Sequence, residues 1–138
     1  MTHSRIVSLQ TTGAGDMIDV TAEVAKAVRE SSIRNGIVLV CAVGSTAGVS
    51  TIEFEPGLRQ DWPELMEKLI PSRLPYQHDK TWGDGNGYAH LRSTLVGTTF
   101  TTAVSEGKMT LGTWQQIVFL EFDNRPRDRE VRVQVMGD

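Results

Sequence analysis

Gly36-Ile37-Val38-Leu39-Val40-Cys41-Ala42-Val43 is an unbroken apolar run rich in β-branched side chains. Periodicity alone leaves a buried helix open, but the run is short, and its length and branching favour a strand covered on both faces. A strand of that kind requires a sheet around it and further elements packed on the sheet, so the rest of the chain must supply them.

The flanking segments have the right patterns. Ser4 to Thr12 has strand character and is broken by Gly13-Ala14-Gly15-Asp16. Val20, Val24, Ala27 and Val28 fall at helical spacing, which predicts a helix from about Val20 to Ser32, capped by Asp19 or Thr21 and stopped by Asn35-Gly36. Val49 to Glu55 resumes strand composition after Gly44-Ser45-Thr46-Ala47-Gly48. Leu58, Trp62, Leu65, Met66 and Leu69 predict a helix over Gly57 to Ile70 with an early Pro63 and a core-facing Trp62/Met66 stripe; Pro71 and Pro75 end it. A short helix follows over Tyr88 to Val96, with Leu91 and Leu95 on one face. Thr98 to Val104, Met109 to Gly112 and Trp114 to Phe122 read as strands joined by tight turns. Arg129 to Val135 alternates polar and apolar residues, the mark of a strand with one wet face. The expectation is an α+β fold: one compact domain over residues 1–138, mostly antiparallel strands packed with about three helices.

Composition narrows the class of partner. With 138 residues, 39% hydrophobic and 22% charged, the chain can bury one core. A net charge of −3 and no run of Lys or Arg disfavour an electrostatic nucleic-acid binder. No stretch approaches the roughly 20 apolar residues that span a bilayer, and Met1 to Gln10 lacks a signal-peptide core, so a cytoplasmic protein without membrane contact is expected. Cys41, the single cysteine, has no partner for an intrachain disulfide and reads as a buried small hydrophobe.

Chemistry-bearing residues concentrate in Tyr76 to His90, a mostly loop-like stretch. His78 and His90 can each transfer a proton, ligate a metal or contact an anion, and Asp79 or Asp84 can orient an imidazole or add a ligand. Gly83-Asp84-Gly85-Asn86-Gly87 allows close backbone approach to a ligand, places Asn86 to cap the next helix, and makes that helix start a candidate phosphate site. The histidine spacing matches no standard zinc signature, and no Gly-Lys-Ser/Thr ending makes a P-loop. Ser45 and Thr46 could present hydroxyls and amides to an anion or could simply turn the chain. Glu53 and Glu55 share a face at strand spacing, as a general acid or base or as a solvated edge. Arg125, Arg127, Arg129 and Arg132, interspersed with Asp123, Asp128 and Glu130, read as a solvated mixed-charge surface.

Several of these stretches occur together in one family. Ser45-Thr46-Ala47-Gly48, Thr51-Ile52-Glu53-Phe54-Glu55-Pro56-Gly57, Gly83 to Gly87 with His90, Leu111-Gly112-Thr113-Trp114-Gln115, and Glu121 to Pro126 resemble the YjbQ family, also called uncharacterised protein family UPF0047, over nearly the whole chain. The resemblance implies a homotrimer with a polar pocket whose histidines, here His78 and His90, could take a metal such as zinc or magnesium, or an anion. Members are often labelled secondary thiamine-phosphate synthase, which implies joining a hydroxymethylpyrimidine diphosphate to a thiazole phosphate with release of pyrophosphate. On that reading His78, His90 and Asp84 are the catalytic candidates, and Ser45, Thr46, Glu53 and Asn86 would bind a phosphorylated small molecule. The family usually carries a histidine where this chain has Gly44, so a three-histidine metal site cannot form from the family positions.

Overall fold

The computed structural model describes residues 1–138. The fold is α+β, built from two antiparallel sheets and four helices. The larger sheet has the strand order β1 (Thr2–Gln10), β8 (Asp128–Gly137), β3 (Gly36–Ala42), β5 (Thr99–Ser105), β6 (Lys108–Met109). The smaller sheet is β2 (Met17–Asp19), β7 (Gln116–Glu121), β4 (Ala47–Ile52).

Helix α1 (Thr21–Ser31) explains how the sheets meet. Its Val24, Ala27 and Val28 are buried in one core that also contains Val38 and Val40 of β3, Val131, Val133 and Val135 of β8, and Ile117 and Phe119 of β7. Full burial of a side chain such as Phe119 contributes about 1.5–3 kcal/mol. Val20, and neither Asp19 nor Thr21, holds the N-cap position and makes no side-chain cap bond, although the Thr21 amide donates to Asp19 Oδ1 just before it. The helix ends earlier than Asn35-Gly36, at Ser32 in a left-handed conformation (φ 60°), while Gly36 opens β3.

The strand covered on both faces is β7 rather than β3. Ile117 and Phe119 enter the main core, whereas Val118 and Leu120 face a second cluster with Met66, Tyr88, Ala89 and Phe122. In β3 burial alternates, because only one face of the large sheet carries a helix; Ile37 is exposed, and Cys41 is half-buried beside Thr99 and Arg132 rather than enclosed. The apolar run of β3 therefore marks β-branched propensity and not double coverage.

Helix α2 (Pro56–Leu69) begins at Glu55, whose carboxylate accepts the Gly57 and Leu58 amides. Those amides hold the Glu55 carboxyl below the usual range. Pro56 is the early proline; Pro63 lies inside the helix, where its missing N–H removes a helical hydrogen bond. Met66 is buried, while Leu65 and Leu69 are exposed.

Candidate functional site

Two further helices organise Tyr76 to His90. Part of the stretch read as loop is α3 (Gln77–Trp82), followed by a turn and α4 (Gly87–Val96). Gly83 closes α3 in a left-handed conformation (φ 72°), which returns the chain sharply toward α3. Gly87 is required for close approach: a Cβ there would stand 2.8 Å from Tyr76 Cβ and 3.2 Å from His78 Cβ. Helix α4 buries Tyr88, Ala89, Arg92 and Ser93, leaving Leu91 and Leu95 exposed. Burial raises the Tyr88 hydroxyl above its ordinary pKa.

This geometry gathers His78, Asp79, Asp84 and His90. The His78 and His90 rings lie 4.5 Å apart between centroids, tilted by 42°. His78 Nδ1 is 3.4 Å from Asp79 Oδ1 and 3.5 Å from Asp84 Oδ1. The ligand-type atoms of His78, Asp79 and Asp84 all lie within 4.8 Å of one another, a set that does not include His90. Asp79, passed over as a principal site residue in the sequence, also anchors the next helix. Its Oδ1 accepts the Gly87 amide at 2.8 Å, so it occupies the α4 start that the sequence offered to a phosphate. Asn86 stands at the cap position but makes no side-chain cap bond; its Nδ2 donates to Asp123 Oδ1 at 3.2 Å, and its buried Oδ1 has no partner.

Asp123 links two loops. One carboxylate oxygen receives Asn86, and the other receives the Thr46 hydroxyl at 3.1 Å and Arg127 Nε at 2.8 Å. Burial opposes ionisation of Asp123, but Arg127, the Asn124 amide and Asn86 outweigh it and hold the carboxyl below its ordinary pKa. Beside it, Glu121 accepts from Thr11 Oγ1 at 2.7 Å and Arg129 Nε at 2.8 Å, and Arg129 also donates to Thr46 Oγ1 at 2.8 Å. The Asp/Glu/Arg series near the C-terminus is thus partly a buried network and not a solvated surface: Glu121 and Asp123 are fully buried. Their place after the apolar Ile117-Val118-Phe119-Leu120 run was the available signal.

Of the other nominated residues, Thr46 is buried in this network, whereas Ser45 is exposed beside it. Glu53 is exposed beyond the end of β4, and Glu55 caps α2. At the position where the resemblance places a histidine, a Cβ on Gly44 would lie 2.9 Å from an Arg129 guanidinium nitrogen, so that space borders the buried network. A separate cleft between α2 and β7, lined by Trp62, Met66, Arg92 and Phe122, contains none of the nominated residues.

These features define an α+β protein of two antiparallel sheets, with an open imidazole–carboxylate cluster held against a buried ion network. The chain belongs to the YjbQ family: residues 5–138 match the family model for UPF0047 protein YjbQ-like. It is 42% identical over 130 residues to a UPF0047 protein of Archaeoglobus fulgidus, covering 94% of this chain and 98% of that one. A crystal structure of a YbjQ-like protein of unknown function from Sulfolobus solfataricus superposes with a TM-score of 0.89 at 29% identity over 100% of both chains. A YjbQ/UPF0047 structure from Clostridium acetobutylicum gives 0.86 at 35% identity, covering 96% of this chain and 99% of that one.

Proposed function

We propose that this chain acts on a phosphorylated small metabolite at the His78–Asp79–Asp84–His90 cluster, with weak thiamine-phosphate synthase activity as the first reaction to test. One observation carries the reading: two tilted imidazoles and two carboxylates meet at an open surface without an Arg or Lys ion-pair partner for either carboxylate. Open, unneutralised groups of this kind suit proton transfer and ligand contact. His78 or His90 would move a proton or hold an anion, Asp84 would orient an imidazole or bind a cation, and the exposed Ser45 would contact phosphate. Thr46 and Asn86 would act through Asp123, which joins the two loops. In the synthase reaction the thiazole nitrogen bonds to the pyrimidine methylene carbon, the carbon–oxygen bond to diphosphate breaks, and pyrophosphate leaves with that electron pair.

A metal would suit the donor set present better than a three-histidine set, since Gly44 offers no side-chain ligand. His78, Asp79 and Asp84 would hold it, and it would supply charge stabilisation to a diphosphate. We also propose that residues 1–138 act as one domain in a cytoplasmic homotrimer. No helix is long and apolar enough to cross a membrane. The helix-free face of the large sheet exposes Ile6, Ile37 and Met136, which supports assembly, and solution mass tests it.

Turnover of the two thiamine precursors tests the reaction. Product formation is expected, slowed roughly 10²-fold or more by His78→Ala and by His90→Ala; turnover untouched by both substitutions sinks this site. The second reading, a non-catalytic metabolite- or anion-binding homotrimer with a degenerate site, is favoured by the Arg129 guanidinium beside Gly44 and would show binding without product.

A further inference from the structure

We propose that the groove between α1 and the β5–β6 hairpin binds a small amphiphilic monocarboxylate, with its chain on Val28, Met109 and Leu111 and its carboxylate between Arg29 and Lys108. The groove is separate from the His78 cluster, and the inference does not depend on the reaction proposed there.

Two turns build the groove. Glu106 and Gly107, both at positive φ (53° and 78°), form the two-residue turn that pairs Ser105 with Lys108 and Val104 with Met109. Ser32 (φ 60°) ends α1 and redirects the chain toward that turn. Ser32 and Glu106 are the only residues other than glycine with positive φ, and both line the same end of the groove. There the Gly107 amide donates to Arg34 O at 2.9 Å, which fastens the hairpin tip to the segment after α1 and closes that end. Thr102 Oγ1 donates to Thr110 O at 2.9 Å and braces the chain leaving β6. The walls are therefore set before a ligand arrives, which spares binding the cost of ordering them.

Shape and charge select the occupant. The part lined by Ala25, Val28, Met109 and Leu111 has a volume of about 340 Å³, within the roughly 300–1,000 Å³ of small-molecule pockets. The adjoining part, of about 290 Å³, shares Val28, Arg29, Gly107 and Lys108 with it, so both cations stand where the two parts meet. Val28 belongs to the main core, and Met109 and Leu111 pack against it, which gives an apolar floor. Arg29 and Lys108 are exposed, and neither enters any of the ion pairs of the molecule. Arg34, at the closed end, lies beside acidic Asp138, whose carbonyl oxygen its amide contacts at 2.7 Å. Glu106 is the only acidic residue in the lining, so Arg29 and Lys108 together leave one positive charge over, in a chain whose net charge is −3. One surplus positive charge above an apolar floor matches a monoanion with a hydrocarbon body better than a dianionic phosphate. A last-turn arginine and an edge-strand lysine are each common on their own; neither habit accounts for an apolar cleft between them. Because the floor belongs to the core under α1, the groove is not on the helix-free face proposed for assembly.

The test is titration of the full chain with octanoate, followed by amide NMR. Saturable one-to-one shifts are expected in Ala25 to Arg34 and Glu106 to Leu111, weakening with added salt. Lys108→Ala and Arg29→Ala should each weaken binding roughly threefold, and the double variant roughly tenfold, while the exposed control Lys68→Ala leaves it unchanged. 1-Octanol has the same chain without the charge and should bind roughly tenfold more weakly than octanoate. All three substituted side chains are exposed, so the fold is retained, and unshifted amides elsewhere in each variant's spectrum verify it. Shifts that fail to saturate, octanol binding as tightly as octanoate, or an affinity unmoved in the double variant overturns the proposal. Saturable shifts centred on His78 and His90 instead would also overturn it, because they would place octanoate at the other site.

Discussion

Two groups of carboxylates lie close together in the chain's fold and differ in nearly every physical respect. Glu121 and Asp123 are fully buried, with every charge answered by Arg129 or Arg127 and reinforced by Thr11, Thr46 and Asn86. Asp84 is 50% exposed and Asp79 23% exposed, and both face a shared imidazole nitrogen. A buried charge must be paired because its desolvation is costly, so the first group can change little without loss of the fold. An exposed one is solvated at small cost and can exchange water for a ligand. On the proposed reading the first group supports the fold and the second carries the chemistry, and Asn86 and Asn124 connect them.

The largest test of this contrast breaks the inner group. Arg129→Ala would leave Glu121 buried and unpaired, and urea denaturation should show a loss of about 3–5 kcal/mol. Next comes the junction between the groups: Gly87→Ala pushes a methyl group against Tyr76 and His78, and should cost about 1–3 kcal/mol while displacing His78 from its partners. A smaller effect is visible through pH. Asp123 has a lowered folded-state pKa, so its contribution is present above the ordinary Asp value of about 4 and is lost as pH falls through the folded value, where the unfolded chain binds more protons. Asp123→Asn should flatten that part of the acid-unfolding profile, read as midpoint stability between neutral and acid pH. The smallest effect on stability belongs to the outer group: Asp84→Asn should change unfolding free energy by less than about 0.5 kcal/mol. A loss as large as that of Arg129→Ala would erase the distinction between the groups.

The sequence made the frame readable where local pattern and tertiary environment agree. Helical spacing in α1, alternation in β8 and the tight β5–β6 turn all have local causes, and the structure contains those elements. Helix α3 was hidden because it is short, lacks a capping side chain and buries none of its residues, so no apolar period announces it. The burial of Glu121 and Asp123 was hidden for the opposite reason: their arginine partners stand in a charge-rich stretch that, in sequence, looks like solvent-exposed surface. His78, His90 and Asp84 were legible as candidates from residue type and crowding, and the structure brings them together. Their arrangement depends on the α3–turn–α4 path, and the part played by Asp79 follows from a contact across that turn.

The central claim, that the outer cluster receives a phosphorylated ligand, is tested most directly by histidine NMR. The chain has three histidines, and His3 lies on β1 of the larger sheet, outside the α3–α4 cluster, which makes it an internal reference. On titration with inorganic pyrophosphate, the ring resonances of His78 and His90 should shift together and saturate while those of His3 stay in place. Unchanged His78 and His90 resonances, or a shift at His3 of equal size, would contradict the account.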